Sequence, residues 1–168
     1  MNPPTPRPLS VVLQAHRQFP GEFCSVSALE FVSKVYALIP LDSFPLQSDA
    51  QNQSKGFDET ALQNLVSLEG AARHYDIQSA LGVIEKETSE GRCPAVSLRT
   101  FLAFGQIVIP AGYHIVVAAR EGDQSVLVDP ASKQYLAKST ADVATVLREN
   151  SAANPDHKTI HIQCLARK

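Results

Sequence analysis

The chain has 168 residues, a length at which one domain buries roughly 70% of its unfolded surface and needs no disulfide or metal to hold a core. Apolar residues make up 44% and charged residues 19%, which excludes a disordered chain, and a net charge of −2 removes the electrostatic reason to expect nucleic acid or an anionic membrane as partner. Cys24, Cys93 and Cys164 are odd in number and widely spaced. They fit neither a zinc pattern nor a disulfide framework, so a reducing compartment, no metal and no cofactor are expected, and each thiol is either a core residue or a reactive one.

Residues 1–10 carry four prolines and little to bury, and they read as a flexible arm ahead of a single domain over 11–168. The first eight residues, MNPPTPRP, lack the apolar stretch of a signal peptide, and no apolar run approaches the ~18 residues of a membrane span. The expected location is cytoplasmic, or outside the cell as an effector exported without a cleaved signal. Oligomeric state leaves no signal in the sequence.

Pro20-Gly21 breaks the chain, and Ala28, Leu29, Val32, Val35, Tyr36 and Ile39 then fall at helical spacing up to Pro40. The spacing predicts a buried helix from near Cys24 to near Leu38. Residues 40–57 read as a long surface loop. A second helix is expected over 58–75 on the stripe Leu62, Leu65, Val66, Leu68, Ala71 and Ala72, and a third over 79–89, stopped by Gly91. The period then changes. Strands are expected over 94–102, 113–120, 125–128 and 133–137, a helix over 141–150 and a last strand over 159–165. Helices followed by an antiparallel sheet is an α+β layout, expected here with the helices on one side of a twisted sheet.

A thiol in the first turn of a helix faces the partial positive charge of that end, which favours the reactive thiolate. Cys24 fits that reading, and it also fits a small buried hydrophobe. His114 lies in the strand Gly112-Tyr-His-Ile-Val-Val-Ala118, where an imidazole packs no better than valine. Asp129 ends the next strand. A two- or four-residue loop at Glu121-Gly-Asp-Gln124 would pair Val116 with Asp129 and put His114 opposite Ala131. His114 and Asp129 would then share a face as diagonal neighbours, with Cβ atoms roughly 7 Å apart. A three-residue loop would separate them. Base and orienting acid are what a nucleophilic thiol requires. Gln18, six residues before Cys24, could donate to an oxyanion beside the Cys24 backbone N–H.

This order of Gln18, Cys24, His114 and Asp129 resembles the papain-like cysteine peptidase superfamily, with the bacteriocin-processing, double-glycine leader peptidase group as the nearest flavour. Gln18-Phe-Pro-Gly-Glu-Phe-Cys24-Ser-Val-Ser-Ala28 is similar to its oxyanion and nucleophile motif, Gly112-Tyr-His114-Ile to its histidine strand, and Val126-Leu-Val-Asp129-Pro130 to its Asp-Pro strand. Leu68–Asp76 resembles its following helix and Gly91–Val96 its first strand. The chain departs from the family's pattern at Phe23, Ser25 and Ile115, where Asp, Gly and an aromatic are usual.

The resemblance implies a half-papain fold in a bacterial protein, with Cys24 as nucleophile, His114 as base, Asp129 as orienting acid and Gln18 in the oxyanion hole. It implies a thiol hydrolase that cuts a peptide or amide bond in a peptide or protein substrate. A glutamine deamidase, an effector or toxin protease, an acyltransferase and a catalytically silent peptide-binding domain are alternatives on the same fold. Of the remaining residues, His16 is expected in solvent and His74 at a helix end. His157 and His161 should flank the last strand without an acidic partner, Cys93 and Cys164 should sit in the core, and Asp123 in the turn.

Overall fold

The computed structural model describes residues 5–18, 24–43, 66–104, 106–153 and 159–167. In chain order these form α1 (Leu9–Ala15), α2 (Cys24–Val35), β1 (Val66–Tyr75), α3 (Ile77–Ser89), β2 (Ala95–Phe104), β3 (Ile107–Glu121), β4 (Gln124–Asp129), β5 (Gln134–Ala137), α4 (Thr140–Ala152) and β6 (Ile160–Arg167). The six strands make one sheet in the order β1-β6-β2-β3-β4-β5, and every neighbouring pair is antiparallel. The class is α+β.

Local chemistry sets most boundaries. The Asp76 carboxylate caps α3 by accepting from the Ser79 N–H at 2.8 Å, and Ser139 Oγ caps α4 by accepting from the Asp142 N–H at 3.1 Å. Gly91 ends α3 with φ +79°, and its N–H and that of Arg92 bond back to Thr88 and Glu87. Gly122, at φ +62°, opens the two-residue turn between β3 and β4, and Glu121 pairs with Gln124.

The helices pack on both faces of the sheet, not on one as expected. Alternation along β3 shows why. Val117 and Ala119 join Phe31, Val32 and Val35 of α2 and Val12 of α1 in one core. Val116 and Ala118 join Ile84 of α3 and Leu147 of α4 in the other. A strand apolar at every position is buried on both sides. Tyr36, just past α2, ties that helix to the sheet: its hydroxyl donates to the Leu165 carbonyl and accepts from the Cys93 N–H, both at 2.8 Å.

Three further expectations are corrected. Residues 66–75 form a strand, not the end of a helix: Val66 to Glu69 pair with Arg167 to Cys164, and after a bulge Arg73 to Tyr75 pair with Ile162 to Ile160. The ladder to the far end of the chain overrides the local helical stripe; the rest of that expected helix, and most of the 40–57 loop, lie outside the described residues. The arm is docked from Arg7 onward. The Arg7 N–H donates to the Val35 carbonyl and its guanidinium to those of Lys34 and Ile39, all at 2.8 Å, and Leu9 is buried. His16 is buried rather than in solvent, with Nε2 2.9 Å from Ser27 Oγ, and burial drives its pKa down to about 3, so it is neutral.

Candidate active site

Cys24 is the first residue of α2. Its side chain is buried against the sheet, where β4 stops short of it. The β3–β4 ladder ends at the pair Val117–Val128. Beyond that pair the Ile115 N–H points at Cys24 Sγ, 3.5 Å away. Thus the edge of β3 that β4 leaves uncovered receives the N-terminal thiol of α2.

The hairpin register is the one that a two-residue loop requires, and it brings His114 and Asp129 together. His114 Nε2 lies 2.9 Å from Asp129 Oδ1. The other carboxylate oxygen accepts from Ser132 Oγ at 2.6 Å, and the Ser132 N–H approaches Oδ1 at 3.4 Å. Asp129-Pro130-Ala131-Ser132 is therefore an Asx-type turn whose carboxylate is held from both sides. With Nε2 committed to Asp129, Nδ1 is the ring nitrogen left for the thiol.

The electrostatics follow from these contacts. Burial pushes the Cys24 pKa up, but hydrogen bonds from His114 and the Ile115 N–H and the charge on His114 outweigh it, and the net shift is down. The hydrogen bond to Asp129, then that to Cys24, raises the His114 pKa to about 10. Burial raises Asp129, and the bonds from His114 and Ser132 more than reverse it, leaving an ionised carboxylate. All three shifts favour a thiolate facing an imidazolium. The other thiols differ. Cys93 is buried and its pKa is pushed up to about 12 by that burial. Cys164, expected in the core, is half-buried on β6.

Gln18 is exposed, three residues beyond the end of α1, and no contact joins it to Cys24 among the described residues. The segment 19–23 between them lies outside those residues. The cavity that opens onto Cys24 measures about 400 Å³ and is lined by Cys24, Ser25, His74, Ser97, Tyr113, Ile115 and His161. His74 is on strand β1 and not at a helix end, and its ring packs 4.8 Å from that of His161, which lies inside β6. His157 lies outside the described residues. The sequence reading missed Ser132, which an Asp-Pro-x-Ser turn pattern could have supplied, and Ser97, Tyr113 and His161 as cavity lining, which only strand pairing reveals. Among the described residues no group of three or more His, Cys, Asp or Glu side chains is placed to hold a metal ion, and no helix is long and apolar enough to cross a membrane.

No known protein family, curated protein or solved structure matches this chain. The site is therefore read from its own geometry.

Proposed function

We propose that this protein is a thiol-dependent acyl-transfer enzyme, a papain-like cysteine hydrolase of half-papain layout acting on a peptide or protein substrate. The observation that carries this reading is the chain of contacts Cys24–His114–Asp129, with a thiol pKa moved down and an imidazole pKa moved up. In this reading the Cys24 thiolate attacks the carbonyl carbon of an amide. The tetrahedral oxyanion is met by the backbone N–H of Cys24 at the start of α2, and Gln18 is the side-chain donor that the six-residue spacing suggests. The C–N bond breaks, His114 gives its proton to the leaving amine, and a thioester remains on Cys24. Water then attacks the thioester while His114 takes its proton, and the acid and thiol are released. Asp129 holds the imidazole orientation and steadies its positive form. Deamidation of a glutamine side chain and transfer to another acceptor share the same acyl-enzyme.

The test uses p-nitrophenyl acetate, an activated ester that needs no substrate specificity. The reading predicts a burst of p-nitrophenolate stoichiometric with enzyme, an acetyl group mapped to Cys24 after acid quench, and neither in Cys24→Ala. Acetylation at Cys93 or Cys164 instead, or a burst that survives in Cys24→Ala, would overturn it.

A further inference from the structure

One wall of the thiol's cavity carries chemistry that acyl transfer leaves unused. His74 pairs with His161, His161 with Ser97, and Ser97 with Ile115, on β1, β6, β2 and β3. Directly opposed residues share a face, so these four form a row across the sheet from the edge strand to the thiol. Ser97 Oγ lies 3.3 Å from His161 Nδ1. Tyr113 stands on the same face two residues before Ile115, half exposed. Arg99, its cross-strand partner, lays its guanidinium over the ring at 4.7 Å.

Among the described residues the cavity lining includes two imidazoles, two serine hydroxyls and a phenol, and no carboxylate. Arg99 has no carboxylate partner among the described residues. Its Nε is buried with no hydrogen-bond partner among the described residues, a costly state for a charged donor. A single anion set against this face would offset the guanidinium charge and accept from the hydroxyl and imidazole donors beside it.

We propose that Arg99, Tyr113 and His161 form the specificity wall of this site and bind a carboxylate side chain, so that the preferred substrate is an acidic peptide with Glu or Asp on the acyl side of the reacting bond. The inference rests on Cys24 being the nucleophile. Arg99 supplies the charge, and the Tyr113 hydroxyl and the His161 ring supply hydrogen bonds. Arg99 and Tyr113 hold each other in place by stacking.

Two pairs of peptidyl acyloxymethyl ketones test it. One pair carries Glu or Gln at the residue bearing the ketone; the other carries them at the residue before. At one of these two positions the Glu probe should alkylate Cys24 at least about tenfold faster than its Gln counterpart, the low end for a hydrogen bond to a charged group. In Arg99→Gln that ratio should fall toward one, and in Arg99→Lys, which keeps the charge, it should be partly restored. Equal rates for Glu and Gln at both positions, no labelling by any of the four probes, or a preference untouched in Arg99→Gln would overturn the specificity wall. Iodoacetamide on the unaltered protein tells the two failures apart. If it labels Cys24 first while no acidic preference is found, the wall is wrong and the nucleophile stands. If it labels Cys93 or Cys164 ahead of Cys24, the nucleophile is wrong and the wall falls with it.

Discussion

Replacing Asp129 by alanine removes one bond from His114 and two from Ser132 at once. The 2.9 Å contact between Asp129 Oδ1 and His114 Nε2 is the largest cause of the raised imidazole pKa. A hydrogen bond between charged groups contributes roughly 1.5–3 kcal/mol. At about 1.4 kcal/mol per pH unit, its loss should lower the His114 pKa by about one to two units. It should also raise the Cys24 pKa, because an imidazolium no longer held in place by Asp129 stabilises the thiolate less. At neutral pH, Asp129→Ala should slow acyl transfer by roughly 10- to 100-fold. His114→Ala deletes the proposed general acid and base together and should cost roughly 100- to 10,000-fold. The assay is the rate of Cys24 alkylation by iodoacetamide from pH 5 to 10, beside the burst with p-nitrophenyl acetate, with folding followed by circular dichroism. Ser132→Ala is the control: it loosens the turn yet leaves the Asp129–His114 contact, so its thiol profile should move far less. An unshifted profile in a folded Asp129→Ala protein would refute the orienting role and leave Asp129 as a turn residue only. A turnover loss as large as that of His114→Ala would refute the ranking.

The remaining predictions draw on other parts of the fold. The rate of acyl transfer should be bell-shaped in pH: it rises through the lowered Cys24 pKa as thiolate forms and falls through about 10 as His114 loses its proton, and a flat alkaline limb up to pH 11 would contradict the pair. Because the folded pKa of His114 lies above its unfolded value, its contribution to stability is complete below roughly pH 6.5 and lost as pH rises through about 10, which urea titrations across that range would read. Tyr36→Phe leaves the buried Cys93 N–H and the Leu165 carbonyl without their shared partner, and should lower stability by about 2 kcal/mol, a melting shift of roughly 4–8 °C. Gly91→Ala places a side chain at φ +79° in otherwise open space, and should cost roughly 1–2 kcal/mol through the backbone alone.

The parts of this structure legible in the sequence are those fixed by neighbours close in the chain. The two-residue turn at Gly122-Asp123 sets the β3–β4 register, and that register alone implied that His114 and Asp129 share a face. Gly91 likewise ends α3 through local hydrogen bonds, whereas the Asp76 cap that opens the helix at Ile77, ahead of the expected start at 79, was not read. What escaped was decided at a distance. The stretch Val66–Tyr75 has helical spacing, and only pairing with β6 makes it a strand; the bulge between Glu69 and Arg73 further hides its alternation. His16 looks polar and exposed until Ser27 of the buried α2 supplies its partner. The row from His74 to Ser97 does not exist in one dimension, because it is assembled across three strands.

The proposed function requires that Cys24 is an activated nucleophile and that the other two thiols are not. It is tested most directly by competitive alkylation of the folded protein with limiting iodoacetamide at neutral pH, followed by peptide mapping of all three cysteines. Cys24 should be modified first, half-buried Cys164 should follow slowly, and Cys93, with its pKa pushed up to about 12, should stay unmodified until the protein unfolds. Faster modification of Cys164 or Cys93 than of Cys24, with the fold intact, would contradict it.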